Sequence, residues 1–168
     1  MAFYIVTNQF ISFAIYEDVI QRDQRLFEAN EGLDEFVVED ALQHASQRIL
    51  TKIRNTDWWK EYQFNRDSNL QYDVRLLPAV SPLKIKAREQ EFKDLNIYFA
   101  MAEYLLPKVA DFGNETSAEM VKIKFYKDQF NALFDELISA GDWYDFDADG
   151  TVETTERQPS KLKLVRIR

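Results

Sequence analysis

Apolar residues recur at steps of three and four along several stretches of the chain, the spacing of amphipathic helices. The clearest case runs from about Asp34 to Arg54, where Val38, Leu42, Ala45, Ile49 and Ile53 form one stripe. Asp34 is placed to cap it, with acidic residues in the first turn opposing the helix dipole. A sparser stripe (Ile15, Val19, Leu26, Phe27) predicts a first helix over about Ser12–Ala29, stopped at Asn30-Glu31-Gly32. Asn55-Thr56-Asp57 breaks the second helix, and Asp57 is the expected cap of a short helix holding Trp58, Trp59, Tyr62 and Phe64. Residues 65–82 read as a loop, polar at Asn65 to Asn69 and unfavourable to helix before Pro78 and Pro82. From about Lys84 to Leu106 there are two stripes, one of Phe92, Leu95, Phe99, Ala102 and Leu106, the other of Ile97, Met101, Tyr104 and Leu105. Two stripes leave a narrow polar face, so this helix is expected at the centre of the core, ended by Pro107. Thr116 and Glu119 have capping-box spacing before a helix to about Ala140, with Ile123, Tyr126, Phe130, Leu133 and Leu137 inside. Gly141 supplies its left-handed end.

At the N-terminus, Phe3 to Val6 read as extended. At the other end, Lys161 to Arg168 alternate basic with apolar residues, and the alternation slips at Leu164-Val165. The expected fold is therefore all-α, a helical bundle of about four helices with a small extended or β C-terminal arm. The expected division is a helical domain over 1–141, then an acidic loop and basic extended arm over 142–168.

Composition narrows the chemistry. The chain has 168 residues, enough to bury a substantial core without cross-links, and its 13 Phe, 8 Tyr and 3 Trp are foreign to disordered sequences. With no cysteine and one histidine, thiolate nucleophiles, Cys-ligated metals and multi-His centres are excluded. No apolar run approaches the ~20 residues of a membrane span. The opening MAFYIVTNQF lacks the basic region of a signal peptide.

The net charge is -8, against a general nucleic-acid binder, though not against a surface that DNA slides past. Charge is also unevenly placed. Residues 1–40 carry two basic and nine acidic side chains, residues 111–156 three and twelve, and residues 157–168 five basic and no acidic ones. A basic tail on an acidic body implies pairing within the chain or between copies of it.

The sharpest local motif is Asp145-Phe-Asp147-Ala-Asp149-Gly150-Thr151-Val152-Glu153-Thr154-Thr155-Glu156, which has the twelve-residue spacing of an EF-hand calcium loop. Asp145, Asp147 and Asp149 would supply carboxylate oxygens, Thr151 its carbonyl, Glu153 a direct or water-mediated contact, and Glu156 a two-oxygen clamp. Calcium suits such a set because it takes six to eight hard oxygen ligands in loose geometry. Asp-rich segments also form ordinary turns through their own backbone. Gly141 before the loop and Pro159 after it argue against flanking EF-hand helices. A bound calcium ion is thus expected to pin a turn, without sensing, and no cofactor is required.

His44 falls on the polar side of the second helix, with no serine or threonine placed to pair with it as a nucleophile, and the motifs of hydrolases, kinases and P-loop enzymes are absent. Trp58-Trp59-Lys60-Glu61-Tyr62 reads as an aromatic core corner or interface anchor, with a base-stacking platform as the rarer alternative.

Three stretches resemble the head–tail connector (adaptor) proteins of tailed bacteriophages. They are Leu33 to Arg54, with the small-residue run Ala41 to Ile49 followed by Trp58 to Tyr62; Leu77-Pro78 through Ala102-Glu103-Tyr104-Leu105-Leu106-Pro107; and Tyr126 to Gly141. The resemblance implies a non-enzymatic virion protein of the neck, assembled in the host cytoplasm as a ring of about twelve copies. Such a ring docks beneath the portal protein, presents a surface to the next neck or tail protein and lets double-stranded DNA through. It implies no catalytic residues and no membrane. The C-terminal stretch departs from the pattern. The alternative is a small calcium-binding module with a single EF-hand-like loop.

Overall fold

A computed structural model describes residues 3–6, 9–30, 32–70, 72–113 and 117–157. The chain is mostly helical, with a small antiparallel hairpin at its N-terminal end. In that hairpin β1 (Tyr4–Val6) pairs with β2 (Gln9–Ser12), with an irregularity between Tyr4 and Ile5. The described strands thus lie at the N-terminal end rather than in the expected C-terminal arm, and residues 158–168 of that arm are outside the described residues. Phe3, Phe10 and Phe13 meet edge-on or tilted at 4.8–6.1 Å, which gives the hairpin an apolar face to lay on the helices.

The single helix expected over Ser12–Ala29 is two, α1 (Tyr16–Arg22) and α2 (Gln24–Ala29). Asp23 divides them. Its backbone leaves the helical region (φ -148°, ψ 71°), its carboxylate caps α2 through the Leu26 amide at 3.3 Å, and it also pairs with Lys122. A short acid that bonds its own following backbone competes with continued helix.

The second helix follows expectation as α3 (Glu35–Arg54), with the Asp34 carboxylate accepting from the Val37 amide at 2.9 Å. All five residues of its predicted stripe are buried. Next comes α4 (Asp57–Arg66), capped by Thr56 rather than by Asp57. The connection to the next helix contains short 3-10 turns at Ser68–Leu70, Val74–Leu76 and Pro82–Lys84.

The central rod starts later than expected. Ile85 instead forms an isolated bridge with Tyr144, and Arg88 sits in the left-handed region (φ 58°) before α5 (Glu89–Ala100). Nor does Pro107 end the rod. The chain passes through a π turn (Met101–Leu105) into α6 (Leu106–Val109), with Pro107 in the first turn. Proline has no N–H to donate to the carbonyl four residues back, and a wider turn accommodates that loss without stopping the helix.

The last helix is α7 (Ala118–Ala140). Ser117 caps it through the Met120 amide at 3.3 Å, in place of the expected Thr116, which lies outside the described residues. Gly141 ends it in the left-handed conformation at φ 55°, as expected.

α5 packs against both α3 and α7, which puts it at the centre. Both of its predicted stripes are buried except at Tyr104, which is half-buried. One polar cluster crosses this core. Ser46 of α3 and Asn96 of α5 are fully buried and 2.9 Å apart. Every group is satisfied when the Asn96 amide oxygen accepts from the Phe13 and Ala14 amides (3.3 and 3.2 Å) and its NH2 donates to the Leu42 carbonyl at 3.2 Å. Hairpin, α3 and α5 are joined there by directional bonds as well as by apolar contact.

Candidate functional site

The acidic loop follows α7 and is tied down at its first ligand position. The Asp145 amide donates to the Lys84 carbonyl at 2.8 Å, and the Lys86 amide donates to the Trp143 carbonyl at 3.0 Å. Trp143 is fully buried, lies tilted against Trp58 with ring centroids 4.9 Å apart, and donates its indole N–H to the Leu137 carbonyl at 2.8 Å. Tyr144 is buried too and accepts from the Ser81 amide. Phe146 lies against Tyr62 and Trp59, and its carbonyl accepts from Lys84 Nζ at 2.9 Å. The loop therefore grows out of an aromatic corner shared with α4.

Trp58 and Trp59 form that corner. They are 6% and 1% exposed, which makes them packing residues and leaves no open face on which bases could stack. His44 is exposed, 2.9 Å from the Asp40 carbonyl and 3.4 Å from its carboxylate, as its polar-face position predicts.

Asp145 is 1% exposed. Burial pushes its carboxyl pKa up, but the Gly150 and Ala148 amides, Asp147 and Lys84 outweigh that, and the net shift is down. Its two oxygens accept from Ala148 (2.6 Å) and Gly150 (2.9 Å). Ala148 and Gly150 both have positive φ (67° and 99°), which curls the backbone around the carboxylate. One oxygen from each of Asp145, Asp147 and Asp149 lies within 4.8 Å of the others, so the three carboxylates converge as their spacing predicts. Asp147 and Asp149 are exposed and brace the turn through the Asp149 and Thr151 amides at 3.2 and 2.8 Å.

Of the other predicted ligands, Glu153 and Glu156 do not join this trio. Both Glu156 oxygens are engaged by backbone, one by the Phe146 and Asp147 amides (2.8 and 3.0 Å), the other by the Glu153 amide (3.1 Å). Glu156 is buried and closes the loop as a staple. Glu153 is exposed, and the Thr151 hydroxyl donates to Asp149 at 2.9 Å. α7 ends five residues before Asp145, and no helix follows among the described residues up to Arg157. The loop has the acid spacing of an EF-hand without its helix pair. A hard cation would take three carboxylates as the loop stands, while Glu156 is held to the loop backbone by three amide bonds.

Two contributors to this region were not legible as such in the sequence, Lys84 and Phe146. Phe146 was the available signal, a lone aromatic between two acids with no reason to be apolar unless it packs.

No family model, curated protein or solved structure matches the chain.

Proposed function

We propose that this chain is a structural collar protein of the virion neck, a head–tail connector of tailed bacteriophages. In this reading it assembles with copies of itself into a ring of about twelve, between the portal protein and a downstream neck or tail protein. Double-stranded DNA passes through the ring, and the chain makes and breaks no bonds. The observation that carries the reading is the packing of the three stretches that bear the resemblance. α3, the α5–π–α6 rod and α7 share one apolar core, of which Trp58 and Trp59 are part.

Two physical features support it. The strongly acidic body repels phosphate, so a channel lined by it releases no counterions and holds DNA loosely. Large apolar side chains also stand in solvent at Phe36 (80% exposed), at Tyr72 (78%) and at Val74, Leu76 and Phe112, surface that contacts between copies or with the portal would cover. The test is the mass and symmetry of the purified chain mixed with its portal protein, read by light scattering and electron microscopy. Closed rings are expected. A chain that stays monomeric beside the portal contradicts the reading.

The convergence of Asp145, Asp147 and Asp149 favours a second reading, a calcium-binding module. Calcium bound to the folded state alone would stabilise it by about 2.7 kcal/mol at a hundredfold excess over Kd. Melting temperature in millimolar calcium should then rise for the native chain and not for Asp147→Asn with Asp149→Asn, both exposed positions. Equal behaviour of the two proteins would make the loop a turn held by its own backbone bonds.

A further inference from the structure

We propose that residues 158–168 dock along the outer face of α7 of their own chain, running antiparallel to the helix. The face is a stripe of exposed positions at steps of four and three: Val121, Phe125, Asp128, Ala132, Asp135 and Ser139. Its N-terminal end is apolar, with Val121 60% and Phe125 54% exposed, and its C-terminal half is acidic. Asp128 and Asp135 have no ion-pair partner among the described residues. Lys124 flanks the apolar end. Lys127, beside the stripe, pairs with Glu103 at 3.9 Å, and Glu136 pairs with Arg88 at 3.8 Å.

Length and starting point fit. The described chain ends at Arg157, whose charge acts on Asp142, the residue just past the C-cap of α7. The 23 residues of α7 span about 34 Å. The eleven residues beyond Arg157, if extended, reach about 36 Å.

Register then decides which side chains meet. One extended residue advances about as far as two helical ones. Counted from Arg157 beside Asp142, Lys161, Lys163, Val165 and Ile167 fall level with about positions 134, 130, 126 and 122, each within two positions of Asp135, Asp128, Phe125 and Val121 in turn. These four tail positions share one side of an extended strand. Read outward they are basic, basic, apolar, apolar, and α7 read backward is acidic, acidic, apolar, apolar. The slip at Leu164-Val165 is what produces this order. A strict basic–apolar alternation would have put four cations on one side and faced two of them to Phe125 and Val121. At the level of Lys124 the tail offers Val165, so like charges are not opposed there.

The test uses the absence of cysteine from the chain. Val121→Cys combined with Ile167→Cys should close a disulfide within one chain under mild oxidation. Val121→Cys with Lys161→Cys, out of register, should react about tenfold more slowly or less, because docking raises the effective concentration of only the matched pair. Adding Asp128→Lys and Asp135→Lys, both on the exposed face, should remove the difference. Equal rates for the two pairs, or no intrachain disulfide, overturn the proposal. A disulfide joining two chains also overturns it, and would assign the face to the tail of a second copy. The inference does not depend on the collar reading and holds or fails on the purified chain.

Discussion

Replacing Asn96 by leucine tests whether the buried polar cluster fixes how the hairpin sits on the bundle. The two side chains are close in volume, so packing changes little and the effect isolates hydrogen bonding. Asn96→Leu leaves the Ala14 amide without the acceptor it finds at 3.2 Å, takes one of two acceptors from the Phe13 amide, and frees the Ser46 hydroxyl. An orphaned buried donor costs about 1–3 kcal/mol, and the lost bond to Ser46 about 1 kcal/mol. Against this, an apolar side chain in a fully buried position regains about 1 kcal/mol over an amide. The expected net loss is about 2 kcal/mol, a sizeable part of the 5–15 kcal/mol typical of a domain. It should show in urea denaturation as a lower midpoint at unchanged slope, and as a fall in Tm of about 4–8 °C. Ser46→Ala combined with Asn96→Leu should cost less than the two single losses added, because the residues share one network. A leucine variant as stable as the native chain would refute the reasoning, since it would mean the Ala14 amide is satisfied elsewhere.

Arg88 holds a left-handed backbone (φ 58°) and a two-point pair with Asp142 (2.6 and 3.1 Å), so Arg88→Gly should be less destabilising than Arg88→Ala by about 1 kcal/mol in urea melts, glycine alone being relaxed there. The same guanidinium holds the Asp142 carboxyl below its ordinary value; the pair therefore stabilises the fold fully above about pH 4 and loses this contribution as pH falls further, through the depressed pKa. Acid unfolding of Asp142→Asn should lack that component, and an identical acid profile in both proteins would contradict it.

Most of the fold was legible because long helices declare themselves by period. The stripes over 34–54 and 118–140 are strong, and cap chemistry at Asp34 and Gly141 marks their ends. Misreadings occurred where one residue does two jobs. Asp23 looks like one more polar position on a helix, but it caps α2 and reaches Lys122, a partner 99 residues away. Pro107 looks like a terminator, yet tertiary packing on both faces holds the rod together through a π turn. Ile85 falls within the range expected for the central helix, but its backbone bridges to Tyr144 instead. In the acidic loop, spacing alone correctly grouped Asp145, Asp147 and Asp149. It did not reveal that Glu156 turns to three backbone amides, because a buried carboxylate serving amides and one awaiting a cation carry the same letter in the sequence.

The collar assignment is tested most directly by imaging the neck of intact virus particles that carry this chain and fitting the helical body of α3, the α5–π–α6 rod and α7 into the density. A collar protein shows as a closed ring of such bodies between portal and tail, around a channel wide enough for duplex DNA. Particles whose neck holds no such ring, with the chain found only as a free monomer in the infected cell, would contradict it.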